Sequence, residues 1–247
     1  MTPNSKDIII LGTGSSCIYC DFKSEVWGVN GAYTIKQAMP EKYRDRFRID
    51  KLFLTDVMFS DAGVMNFDIK GMNALIHEEK CELISMHRMT LGKYALDAKP
   101  YPFTRIKHKF GTDYFTDTIT YMIAYALDQA TVLTKNKTGV IRLELRYPLS
   151  LRFFGVDMAT SHEYRVSKGG VEYWIGIARG LGCDILIAKG SSIMAHPRGY
   201  PYGWAPKVNV KQYDPFGLMS GKKPPTEEEL YDLSTQGVSD ATYPTTV

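Results

Sequence analysis

The segment Asp7-Ile-Ile-Ile-Leu-Gly-Thr-Gly-Ser-Ser16 constrains the fold more than any other stretch of this chain. Four consecutive apolar residues, Ile8 to Leu11, lack the alternation of a strand with one wet face. Such a run suits a strand buried on both faces, as in a parallel sheet sandwiched between helices. It ends in Gly12-Thr-Gly14-Ser-Ser16, where glycines permit a tight turn and close approach to a ligand. The amides of that turn and the hydroxyls of Ser15 and Ser16 form a cup suited to an anion. The pattern is neither of the common phosphate-binding loops. Cys17 stands where a dinucleotide fingerprint has its third glycine, and no Gly-Lys-Ser/Thr follows. Exchange of Gly14 for valine is expected to fill the space of a phosphate with little loss of fold.

A chain of 247 residues accommodates one large domain or a domain with an appendage. Its net charge of +3 is too small to imply nucleic-acid binding by itself. No apolar run approaches the roughly 20 residues of a membrane span. The opening Met-Thr-Pro-Asn-Ser-Lys carries no signal-peptide pattern. A cytoplasmic protein without membrane association is the expectation. Cys17-x-x-Cys20 lacks the second Cys or His pair that a structural zinc site needs, so these read as ordinary thiols and no metal site is expected.

Further apolar runs predict strands at 25–30, 51–56, 82–85, 151–157 and 184–188, separated by helical stretches at 31–46, about 62–79, 115–133 and 170–181. Within 170–181, Val171, Trp174, Ile175 and Ala178 make an apolar stripe at helical spacing, and Gly180-Leu-Gly182 stops the helix. Strands alternating with helices predict an α/β fold with a mainly parallel sheet flanked by helices. Residues 135–150 read as a loop plus a short alternating segment, with Val140, Ile141, Leu143 and Leu145 suited to an edge strand. From His196 onward the character changes: seven of the twelve prolines fall in 196–247, among glycines and aromatics. The chain therefore divides into a domain over 1–195 and an irregular, extended C-terminal arm over 196–247, an arm suited to wrapping a neighbouring subunit or an assembly partner. In open α/β sheets, ligands bind beyond the carboxyl ends of the strands. Those ends carry Gly12, Gly14, Ser15, Ser16, Asn30, Asp56, Gly155 and Asp157, which is good lining for a cleft.

Three motifs resemble the bacterial sialyltransferases of the Campylobacter type: Ile8-Ile-Ile-Leu-Gly-Thr-Gly-Ser-Ser16, Val26-Trp-Gly-Val-Asn30 and Phe53-Leu-Thr-Asp56. The second half is similar to theirs in Phe154-Gly-Val-Asp-Met158, Glu163-Tyr164, a helix, and Asp184-Ile-Leu-Ile-Ala188. Archaeal-type hydroxymethyldihydropterin diphosphokinases share the general plan. So do bacteriophage proteins with Gly-Val-Asp-Met and Glu-Tyr-Trp, here Gly155–Met158 and Glu172–Trp174. The resemblance covers about residues 7–195. It implies a Rossmann-like cleft in which Gly12, Gly14, Ser15, Ser16, Asn30, Gly155 and Asp157 contact a nucleotide and Tyr164 holds a phosphate. The sequence departs from the family at the chemistry. Where those enzymes place a catalytic His, this chain reads Arg165-Val-Ser-Lys-Gly-Gly170. His162 and His196 are the histidines nearest in sequence, and His162 with Asp157 forms the candidate catalytic pair.

Three functions remain open on these residues. The first is a transferase using a nucleotide-activated donor, most simply a sugar nucleotide, with no further cofactor required. Arg165 and Lys168 would then neutralise the leaving phosphate. The second is a Mg²⁺-dependent diphosphokinase, with Asp56, Asp61 and Asp157 as oxygen ligands. The third is a non-catalytic scaffold whose arm docks into an assembly such as a phage particle or a homo-oligomer.

Overall fold

The computed structural model describes residues 5–39, 41–55, 69–86, 90–91, 94–95, 98–158 and 162–195. The chain divides into two units, 1–193 and 194–247. Apart from Met194 and Ala195 the second unit lies outside the described residues, and with it the expected arm.

The first half of the chain runs β1 (Lys6–Leu11), β2 (Glu25–Val29), α1 (Ile35–Ala38), α2 (Glu41–Arg44), β3 (Lys51–Leu54), α3 (Ile69–His77) and β4 (Glu82–Ser85). A small antiparallel pair follows, β5 (Thr90–Leu91) with β6 (Tyr94–Ala95), and then β7 (Ala98–Pro100). The second half runs α4 (Phe103–Phe110), α5 (Thr118–Ala130), an antiparallel hairpin of β8 (Thr131–Lys135) and β9 (Ile141–Leu145), β10 (Leu149–Phe154), α6 (His162–Gly180) and β11 (Asp184–Ile187). Seven strands form one sheet in the order β11-β10-β1-β2-β3-β4-β7, with every neighbouring pair parallel. This is the expected α/β, Rossmann-like arrangement. The chain steps outward from β1 to β7 and then crosses back to lay β10 and β11 on the other side of β1. The direction of winding therefore reverses between β1 and β10.

Side-chain alternation explains why continuous apolar runs make these strands. Ile8 and Ile10 join one core with Trp27, Phe53, Ile84, Leu151 and Phe153, while Ile9 and Leu11 join another with Val26, Leu52, Leu54 and Leu83. Burial on both faces demands apolar residues at successive positions. Helices α5 and α6 seal the first core. Tyr125 of α5 packs edge-on against Trp27 and Phe53, with ring centroids 5.7 and 5.5 Å apart, and Trp174 and Ile175 of α6 are fully buried. Met72 and Leu75 of α3 belong to the second core.

Three expectations need revision. The helix read over 31–46 is broken into a 3-10 turn and the one-turn helices α1 and α2. Residues 162–169, expected to precede the last helix, are part of it despite Gly169-Gly170. The helical penalty of Gly170 is offset by close packing, since a Cβ there would meet Thr116 Oγ1 at 2.1 Å. Strand β7 and helix α4 were not anticipated. The first is three residues long, and the second, Phe-Thr-Arg-Ile-Lys-His-Lys-Phe, has a narrow apolar stripe among basic residues.

Across the amino ends of five adjacent strands runs a ladder of alternating charge. Lys6 on β1 bonds Glu25 on β2 at 2.9 Å, Glu25 bonds Lys51 on β3 at 2.6 Å, Lys51 lies 3.6 Å from Glu82 on β4, and Glu82 bonds Lys99 on β7 at 3.0 Å. Glu25 also accepts from Trp27 Nε1 at 2.8 Å. Burial opposes its ionisation, but the hydrogen bonds from Lys51, Trp27 and Lys6 override that and hold its carboxyl at about 2, below the ordinary 4.5. A depressed folded-state pKa stabilises the fold fully above the unfolded value, and the contribution is lost as pH falls toward the folded one. Unfolding free energy measured by urea titration is expected to drop by about 2–3 kcal/mol between pH 5 and pH 2 from this group alone. Glu25→Gln should lower stability at neutral pH and flatten that part of the profile.

Candidate functional site

Parallel strands that reverse their winding leave a crevice at the carboxyl edge, because the loops on either side depart in opposite directions. A cleft of about 620 Å³ opens there. Its floor is the turn after β1 (Gly12, Thr13, Gly14, Ser15) and the turn after β10 (Gly155, Val156, Asp157, Met158). Val29, Asn30 and Gly31 after β2 form one side, and Thr116 to Ile119 at the start of α5 form another, with Ser167 of α6 and Gly190 at the margin. Six sequence-predicted residues are thus brought together: Gly12, Gly14, Ser15, Asn30, Gly155 and Asp157.

The two floor turns touch through their backbones. Gly12 N–H donates to Phe154 O at 2.8 Å and Gly14 N–H to Gly155 O at 2.7 Å. A Cβ on Gly12 would lie 2.2 Å from Gly155 O, and one on Gly155, at φ +68°, would lie 2.3 Å from Gly12 O. Only glycines allow this approach. The anion in the cup is the chain's own Asp157. Its Oδ2 accepts from Ser15 Oγ at 3.0 Å and from Ser16 N–H at 2.9 Å, and its Oδ1 accepts a short bond from Ser16 Oγ. Ser16 Oγ in turn accepts from Gly155 N–H at 2.8 Å. Ser16 is buried and lies behind the floor rather than lining the cleft. Residues beyond β11 fix the Asp157 turn from the far side, with Ser191 Oγ donating to Val156 O at 2.6 Å and Ser192 Oγ to Asp157 O at 2.7 Å.

Donors for a ligand remain. Among the described residues, the amides of Thr13 and Ser15 have no protein acceptor. Asn30, at φ +39°, is tied by its amide to Phe53 O and lies 3.5 Å from the Thr118 hydroxyl, which shares a 2.8 Å bond with Thr55. Asp117 caps α5 by accepting from Thr120 N–H at 2.9 Å. The wall is held against α6 by Thr116 Oγ1 donating to Ser167 O at 3.0 Å and Trp174 Nε1 donating to Tyr114 O at 2.8 Å.

The other predicted residues fall as follows. Asp56, with Asp61, lies outside the described residues. His162, Tyr164 and Arg165 fall on the first turn of α6, and their side chains lie outside the described residues. Lys168 follows the lining residue Ser167, half-buried, 3.7 Å from Glu172. Among the described residues no group of three His, Cys, Asp or Glu is placed to hold a metal ion. All four cysteines are free and buried. Burial pushes the Cys20 thiol up to about 12, and burial with the nearby Asp157 charge raises Cys17 as well. Among the described residues no helix is long and apolar enough to cross a membrane.

Thr116, Asp117, Thr118 and Ser167 were not singled out from the sequence. Asp117-Thr-Ile-Thr120 has the spacing of a helix cap, a signal that marks a helix start and hence backbone donors at its first turn. Comparison of the chain with protein-family models, curated proteins and solved structures finds no match.

The close contacts change what Gly14→Val should do. A Cβ there would lie 2.6 Å from Asp157 Oδ2 and 2.9 Å from Gly155 O, so the side chain strikes protein before it reaches a ligand. Contrary to the expectation of an intact fold, this variant should lose about 2–3 kcal/mol of stability in urea titration. Gly31 lines the same cleft, and a Cβ added to it would meet nothing within 4 Å, so Gly31→Ala should melt like the parent.

Proposed function

We propose that the switch-point cleft holds the nucleotide of a nucleotide-activated donor, most simply a sugar nucleotide, and that the chain is a transferase. The observation that carries this reading is the coincidence of the winding reversal with a cleft of about 620 Å³ lined by hydroxyls, an amide side chain and backbone N–H groups. That volume falls within the range of small-molecule sites. The resemblance to sialyltransferases in the same turns supports the same reading.

Charge orients the ligand. Asp157 and Asp117 stand on two sides of the cleft, and a phosphate next to either carboxylate would be repelled. Ribose and base, which offer hydroxyl and amino donors, suit that end. In this reading the phosphate lies toward the α6 rim beside the lining residue Ser167, and Lys168, the next residue though not itself part of the lining, offers it a cation. In the reaction the bond between donor group and phosphate oxygen breaks, an acceptor hydroxyl oxygen takes the group and releases its proton to solvent, and the nucleotide leaves with the electron pair.

The engagement of Asp157 by Ser15 and Ser16 favours a second reading, ligand binding without turnover, because that carboxylate is already committed to holding the turn. It also weighs against Asp157 as a free Mg²⁺ ligand in a diphosphokinase. Calorimetric titration of the full chain with CMP-, UDP- and GDP-sugars, the free nucleosides, and ATP with Mg²⁺ tests the proposal, with donor consumption followed in parallel. At least one sugar nucleotide should bind. Lys168→Ala should weaken that binding by roughly tenfold, the worth of one charge-assisted hydrogen bond, and leave nucleoside affinity unchanged. Binding without consumption in the presence of candidate acceptors supports the second reading, and absence of binding by every nucleotide overturns both.

A further inference from the structure

The β8–β9 hairpin grows from the opposite edge of the sheet to the cleft, between the end of α5 and the start of β10, and among the described residues its two strands pair only with each other. Exposed apolar residues concentrate there: Leu133 is 56%, Val140 51% and Ile141 64% exposed. Strand β9 reads Ile141-Arg-Leu-Glu-Leu145, a sequence nearly symmetric about Leu143 in apolar character, with opposite charges at the two flanking positions.

The hydrogen-bond phase decides which β9 groups face outward. At the two ends of the hairpin, Asn136 N–H donates to Val140 O and Arg146 N–H to Ala130 O. Bonded pairs alternate along an antiparallel ladder, so Arg142 and Glu144 direct their backbone groups toward β8. Ile141, Leu143 and Leu145 direct theirs away from the hairpin. The partners of Arg142 and Glu144 across the hairpin are Thr134 and Val132. Among the described residues neither charge has an ion-pair partner.

We propose that a second copy of this chain docks on β9, antiparallel and two-fold symmetric about Leu143, giving a continuous four-stranded sheet β8-β9-β9-β8 across a homodimer. In this register Leu143 faces its own copy, Ile141 faces Leu145, and Arg142 faces Glu144 twice over. The outward backbone groups of 141, 143 and 145 are those that a ladder centred on Leu143 uses. Centring on Arg142 or Glu144 uses outward groups too, but it sets Arg142 against Arg142 or Glu144 against Glu144 and so opposes like charges. Centring on Ile141 would set Arg142 against Val140 and leave Glu144 opposite Thr138. Among the two-fold registers that the outward backbone groups allow, the one centred on Leu143 sets Arg142 against Glu144 at both symmetric positions, as suits an isologous interface. Neither the proposal nor its test depends on what the cleft binds.

Sedimentation equilibrium of the full chain over a concentration series tests this. The parent should sediment at twice the chain mass. Arg142→Glu or Glu144→Arg, each placing like charges opposite one another at two symmetric positions, should raise the dimer dissociation constant on the order of tenfold. The double variant carrying both changes restores opposite charges and should restore the dimer. Leu143→Pro removes an outward N–H without touching the hairpin's own ladder and should yield monomer. Thermal melts by circular dichroism confirm that each variant is folded, so loss of dimer is read from folded protein. A parent that stays monomeric at several hundred micromolar overturns the proposal. So does a dimer indifferent to the single exchanges, or one that the double exchange fails to restore.

Discussion

The carboxylate of Asp157 is the interaction on which the carboxyl edge of the sheet depends. Ser15 and Ser16 open the turn after β1, Asp157 belongs to the turn after β10, and these are the two strands between which the winding reverses. A turn rich in unsatisfied N–H groups attracts an anion, and here the chain provides it from a residue 141 positions away. Two backbone bonds, Gly12 to Phe154 and Gly14 to Gly155, close the contact beneath it. The floor of the cleft is built before any ligand arrives. On the proposed reading, a pre-organised floor lowers the ordering cost of binding and its carboxylate sorts which end of the ligand lies there.

This interaction also marks where reading the sequence stopped. The strand–turn unit at 8–16, the strands near 25, 51, 82, 151 and 184, and their parallel association follow from apolar runs and their spacing, which are local. So does the gathering of Gly12, Gly14, Ser15, Asn30, Gly155 and Asp157 at one edge, since parallel strands put all their carboxyl ends together. The occupant of the cup is not local. Nothing in Gly-Thr-Gly-Ser-Ser distinguishes a turn awaiting phosphate from one that an aspartate already fills. The same holds for Gly169-Gly170, which by propensity ends a helix and in the fold lets α6 press against Thr116. Tertiary contact outweighs about 1 kcal/mol of backbone preference per glycine. Strand β7 is legible only through its neighbour, because its register with β4 comes from Leu83 to Ser85 and not from its own Ala-Lys-Pro.

The two edges of the sheet are handled by different electrostatics. At the amino edge, Lys6, Glu25, Lys51, Glu82 and Lys99 alternate in sign across five strands, and each interior member has an opposite charge on both sides. The half-buried Lys51 ammonium sits 5.6 Å from the Trp27 ring centroid as well. Charges so paired hold neighbouring strand ends in register and project little field. At the carboxyl edge Asp157 is held by the hydroxyls of Ser15 and Ser16 and by the Ser16 amide, and Asp117 accepts from the Thr120 amide.

The hairpin β8–β9 completes this separation. Helix α5 begins at the cleft with Thr118 and Ile119 and runs 13 residues to Ala130, so it carries the chain from the cleft edge to the opposite one, about 20 Å away, before the hairpin starts. Strand β10 then begins beside Lys6, at the amino edge. The hairpin therefore lies at the opposite end of the strands from the cleft. Open edges are hazardous in general because they accept any strand. Arg142 and Glu144 favour one register for β9, since only centring on Leu143 sets each of them opposite the other. The same alternation of charge that steadies the amino ends of β1 to β7 inside the subunit thus reappears on β9 as a rule for what may join it from outside.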